Sequence, residues 1–145
     1  MAKEISRTQR RVLVAVNFVS LAAIVFMVHV GRGRGWDVRL ILAGIIPAAG
    51  VLTATFIGVF WRTGLWQLAH ASFDRIDERQ AQVMYESLRR SYTVFALLCV
   101  VVLFVNAVAE RGHIPILIAG ALLYLAHTLP AAAMAWNEKE VLLGS

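Results

Sequence analysis

The chain has 145 residues, 59% of them hydrophobic and 16% charged, with a formal net charge of +5 and one cysteine. Soluble domains carry about 45–50% apolar and about 25% charged residues, so the composition excludes an ordinary water-soluble domain. A single cysteine excludes a disulfide framework, a CxxC redox pair and a thiolate zinc cluster, and leaves Cys99 as a small apolar packing residue within a helix.

The apolar residues gather in four blocks, close to the ~20 residues that cross a ~30 Å hydrocarbon core as a helix. The expected spans are residues 12–31, 39–61, 91–109 and 114–135, in one membrane domain covering 1–145. The expected fold class is therefore all-α: an integral membrane four-helix bundle, with a cytoplasmic amphipathic extension of the third helix.

The first block follows Lys3, Arg7, Arg10 and Arg11. Its apolar run is too long for a signal peptide and no small-residue cleavage site follows, so a retained helix is expected. The next stretch, GRGRGW at Gly31 to Trp36, reads as a short flexible turn; its glycines lack the strand and helix that a phosphate-binding fingerprint needs. The second block holds AGIIPAAG around Pro47, and the fourth holds Gly120 and TLPAAA around Pro130. Small residues and prolines of this kind serve either tight helix packing or a hinge beside a cavity. Trp36, Trp61, Trp66 and Trp136 fall at or just beyond the block ends, where amphipathic rings favour headgroups.

Residues 64–90 form the expected cytoplasmic segment. At helical spacing Arg75, Glu78, Arg79, Gln82, Glu86, Arg89 and Arg90 share one side, and Ile76, Val83, Met84 and Leu88 the other. Asp74 is the expected N-cap, and Glu86 precedes Arg90 by four residues, the favourable order for an ion pair. From Asp74 to Ala109 such a helix spans about 54 Å, well beyond the hydrocarbon core. Its apolar stripe must meet the interfacial segment before it, a second copy, another protein or lipid. Within this segment DERQ, Asp77 to Gln80, followed by Tyr92 at the helix entry, resembles a segment of small uncharacterised bacterial four-helix membrane proteins. That resemblance implies no activity.

Short echoes relate the two halves: RRVLVAVNF with RRSYTVFAL, and LILAG with ILIAG. A duplicated hairpin would place a pseudo-twofold axis along the membrane normal.

Ten basic residues lie on the side holding both termini and four (Arg32, Arg34, Arg39 and Arg111) on the other. The positive-inside rule then places both termini in the cytoplasm of a multi-pass inner-membrane protein. Topology and anionic headgroups account for the basic charge, so no nucleic-acid partner is expected.

Polar groups inside the spans are the candidates for chemistry. Asn17, Asn106 and His127 are the intramembrane ones; they either hydrogen-bond between helices or, for His127 with Asn17, form a proton or polar-substrate site. His113 and His127 stand fourteen residues apart, about 21 Å along one helix face. That spacing resembles the haem ligands of cytochrome b bundles. His29 matches His113 in depth, whereas His127 has no such partner, because His70 lies beyond the second helix. HExxH, GxSxG and P-loop motifs are absent, as is a carboxylate pair inside the spans. Asp74, Asp77 and Glu78 lack the glycine and terminal glutamate of an EF-hand loop and suit a helix N-terminus instead.

The expected function is that of a non-enzymatic accessory or scaffold protein without a cofactor. It would self-associate or dock a membrane-protein partner through Ile76, Val83, Met84 and Leu88, with Arg75, Arg79 and Glu86 at the rim. The alternatives are a haem-binding electron-transfer protein using His29 and His113, and a minor transporter or channel built around Pro47 and Pro130.

Overall fold

A computed structural model of the chain describes residues 5–72, 76–109 and 115–137, and among these there is no strand. Helix α1 spans Arg7–Gly33. It starts five residues ahead of the expected span because Ser6 and Gln9 form a capping box: the Ser6 hydroxyl accepts from the Gln9 amide at 3.2 Å, and the Ser6 amide donates to Gln9 Oε1 at 3.1 Å. Beyond α1 the chain turns at Gly35, whose φ of +66° suits a residue without a Cβ.

Helix α2 spans Val38–Phe56 and begins where the Asp37 carboxylate accepts from the Arg39 amide at 2.7 Å. Its continuation, Ile57–Trp61, is π-helical rather than the plain α-helix expected to residue 61. Gly64, with φ +70°, then reverses the chain into the short α3, Leu65–Ala69.

Helix α4 spans Glu78–Ala109. Its start corrects one expectation. The capping residue is Asp77, whose carboxylate accepts from the Gln80 amide at 2.6 Å while its own amide donates to Gln80 Oε1 at 3.3 Å. The DERQ stretch is thus the capping box of α4, and Asp74 lies outside the described residues. Thirty-two residues make α4 about 48 Å long, shorter than expected but still longer than the hydrocarbon core is thick. Helix α5 spans Ile116–Asn137, with Pro130 inside it.

Among the described residues four helical stretches are long and apolar enough to cross a membrane: Arg7–Gly33, Val38–Trp61, Glu78–Val108 and Ile116–Asn137. Their packing runs in the order α2–α1–α5–α4, with α3 and the π-helical turn wedged against α5. The main seam between the two hairpins therefore joins α1 to α5, which are not equivalent members of a twofold repeat. α1 meets α2 closely: the space where a Cβ at Gly44 would lie is filled by the Met27 side chain. Gly50 and Gly120 make no such approach.

The buried core lies at the end where α1 begins and α5 finishes, here called the basic end. There Val59 and Phe60 of the π-helical turn and Leu65 of α3 pack on Ala131, Met134 and Ala135 of α5. Arg10 is also buried there, at 1% exposure, and Arg7 and Arg11 donate to the Asn137 and Trp136 carbonyls at 3.1 and 3.0 Å.

Candidate functional site

Polar groups of α1, α2 and α5 converge at Asn17, which is fully buried. Its Nδ2 donates to the Leu52 carbonyl at 3.0 Å and to Thr55 Oγ1 at 2.9 Å, both on α2. Its Oδ1 accepts from the Tyr124 hydroxyl of α5 at 2.9 Å. Thr55 in turn donates back to the Val51 carbonyl at 2.7 Å. One side chain thus ties three helices together. In an apolar medium each of these groups would be costly alone, and the arrangement satisfies all of them.

An aromatic array continues from this junction. The Phe56 ring lies 6.3 Å from Tyr124, 5.2 Å from Trp66 and 5.5 Å from Phe60. Trp66 is 4.2 Å from His70, and His70 stacks on His127 at 6.2 Å with rings 9° from parallel.

This overturns the expectation that His127 has no histidine at its depth. The reversal at Gly64 carries α3 back along α5, so His70 reaches a ring that sequence distance had placed out of range. Asn17 meets Tyr124 rather than His127, and the expected His127–Asn17 pair is not formed. His127 Nδ1 lies 2.8 Å from the Leu123 carbonyl, and His70 Nδ1 lies 2.9 Å from the Trp66 carbonyl. A carbonyl only accepts, so both contacts suit rings with a hydrogen on Nδ1. Both histidines are exposed on the outside of the packed helices. Among the described residues no three His, Cys, Asp or Glu side chains gather to hold a metal.

The other expected residues are more scattered. Asn106 is buried at 5% but donates only within its own helix, to the Val102 carbonyl at 2.8 Å. His29 is exposed and lines a recess of about 480 Å³ at the far end with Arg32 of α1 and Pro115 and Ile116 of the fourth span. His113 and Arg75 lie outside the described residues. Pro47 is exposed on α2, whereas Pro130 is buried in α5.

On α4 the apolar stripe divides. Met84 is buried at 3%, and Ile76 and Val83 pack against the core beside Leu65 and Leu68. The chain's own interfacial segment covers that part of the stripe. Leu88 stays 38% exposed, next to Tyr85 at 63% and Tyr92 at 75%. Arg79 and Glu86 are exposed, and the expected Glu86–Arg90 ion pair is present at 3.6 Å with both side chains more than half in solvent. A pair so exposed contributes ~1 kcal/mol or less.

Sequence reasoning missed Tyr124, Thr55 and His70 as partners. The signal for Tyr124 was a hydroxyl within the apolar run of the fourth block. Nothing in the sequence told which helix it would meet.

These features define a class: an all-helical chain whose four spans mark it, by composition, as a multi-pass membrane protein. The chain matches no protein-family model, no curated protein and no solved structure.

Proposed function

We propose that this is a non-enzymatic accessory or scaffold protein of the inner membrane, with both termini cytoplasmic, which self-associates through the outer face of α4. The basic residues at the end holding the termini support this orientation. In this reading α4 is the edge of a four-helix bundle, and its first three turns form the cytoplasmic extension.

The observation that carries the proposal is a stripe that stays exposed and apolar on both sides of the membrane boundary. Tyr85, Leu88, Tyr92, Ala96, Val100 and Leu103 follow one another at spacings of three and four, so they share one face of α4. All six are exposed. Lipid is an adequate neighbour for the upper members. It is a poor one for Tyr85 and Leu88, which stand among Glu78, Arg79, Glu86, Arg89 and Arg90 in the roughly 18 Å of α4 that exceeds the hydrocarbon core. The contact face is therefore centred on Leu88 and its tyrosine neighbours, with Arg79 and Glu86 at the rim. Ile76, Val83 and Met84 instead hold the extension to the body.

The test is the oligomeric state in mild detergent, read by light scattering. The wild-type chain is expected to be a dimer or larger, and Leu88→Glu to shift it to monomer with helix content unchanged. A wild-type chain that stays monomeric at every concentration would overturn the proposal.

A further inference from the structure

One groove on the molecule has a polarity that runs in a single direction. α1 and α4 each pack on α5 and leave a channel between them. Its walls are Ala15 and Phe18 of α1 and Val94 of α4, and its floor is Leu129 and Ala133 of α5. At the basic end it is lined by Arg90, Ser91, Trp136 and Asn137. Leu129 lies seven residues from Trp136, so the groove climbs about 10 Å from a polar mouth into apolar surroundings. Its volume is about 240 Å³, below the ~300–1,000 Å³ of pockets that enclose a small ligand. A channel this shallow suits one long chain lying in it.

Ser91 supplies the second observation. It is 5% exposed, lines the groove, and its hydroxyl has no hydrogen-bond partner among the described residues. Other hydroxyls in these helices turn back on their own backbone: Ser20 to Val16, Thr53 to Ala49, Thr93 to Arg89 and Thr128 to Tyr124. Ser91 forgoes that bond and is left with a donor to give to something in the groove.

Charge selects the occupant. Arg90 lines the mouth itself, and the Arg11 guanidinium lies over the ring of Trp136, another residue of the mouth, at 5.2 Å. Glu86 is the acidic group beside Arg90, and a 3.6 Å contact to one of its oxygens leaves most of the guanidinium fork open. Two cations at the mouth, a hydroxyl donor just inside and an apolar trough beyond repeat the order of charges along a phospholipid.

We propose that this groove binds an acidic diacyl phospholipid. Its phosphate would sit between Arg90 and Arg11, an ester carbonyl would accept from Ser91, and one acyl chain would lie along Ala133, Leu129 and Phe18.

Native mass spectrometry of delipidated protein tests this by counting lipids bound per chain. The probes are dioleoyl phosphatidylglycerol and dioleoyl phosphatidylcholine, titrated separately. The first phosphatidylglycerol is expected to bind about fivefold more tightly than the first phosphatidylcholine, the effect of one basic residue at an anionic surface. Arg90→Gln removes that preference. Ala133→Phe and Ala15→Phe, which fill the groove from floor and wall independently, remove the first binding step for both lipids. Equal affinity of the two lipids for the wild type overturns the proposal. So does an undiminished first step in either filled variant that melts like the wild type. Competition by millimolar inorganic phosphate would assign a bare anion site instead and overturn it equally. Leu88→Glu leaves these titrations unchanged, so this test stands apart from that of self-association.

Discussion

Asn17 and Asn106 are the same residue in similar settings, both on apolar helices and both buried. They do different things. Asn17 is bonded to two other helices through three hydrogen bonds, whereas Asn106 bonds one carbonyl of its own helix. The difference maps onto the helices that carry them. α1, α2 and α5 are joined by polar bonds as well as packing, while α4 is attached mainly along α5 and, at its start, by the short α3. A buried amide in a membrane protein is therefore informative only through its partners. The same chemistry can lock a bundle or merely satisfy itself.

The contrast can be broken most directly at Asn17. Asn17→Leu removes all three bonds and strands the Tyr124 hydroxyl, and is expected to cost roughly 2 kcal/mol at ~0.6 kcal/mol or somewhat more per bond between helices. The loss is read from reversible unfolding in mixed detergent. A smaller loss is expected for Gly44→Ala, which pushes Met27 aside within the α1–α2 contact. The displaced atoms are the end of a flexible side chain, so about 1 kcal/mol, the low end of overpacking, should appear in the same assay. The smallest effect sharpens the comparison. Asn106→Val should change stability by less than about 0.5 kcal/mol, because its bond is internal to α4. If Asn106→Val proved as costly as Asn17→Leu, the distinction between the two asparagines would fail.

Much of the architecture was legible before any coordinates. Four spans followed from run length, and each helix lies within a few residues of its expected bounds, because apolar length in lipid admits few alternatives. Short polar signals moved the ends. Ser6 and Gln9 extend α1 backwards, and Asp77 with Gln80 sets the start of α4, where charge periodicity alone had pointed to Asp74. The π-helical turn at Ile57–Trp61 has no marker in composition, and neither does the neighbour each helix chooses. For that reason the sequence leaves Asn17 open either to bonding between helices or to a site with His127, and the fold bonds it to Tyr124. Phe56, Trp66 and His70 form their array only because the chain reverses at Gly64, a conformation that one glycine permits without announcing where the following helix will go.

The Asn17 junction also has a consequence in time. The groups that fill its Nδ2, on Leu52 and Thr55, follow within 38 residues, so the first hairpin alone can satisfy that side of the amide. Tyr124 comes 107 residues after Asn17. At ribosomal speeds of about 5–20 residues per second, the Oδ1 acceptor waits roughly 5–20 seconds for its donor to be made. The first hairpin, whole once Thr55 is made, holds that acceptor open for the last 69 of those residues, about 3–14 seconds, until Tyr124 closes the junction.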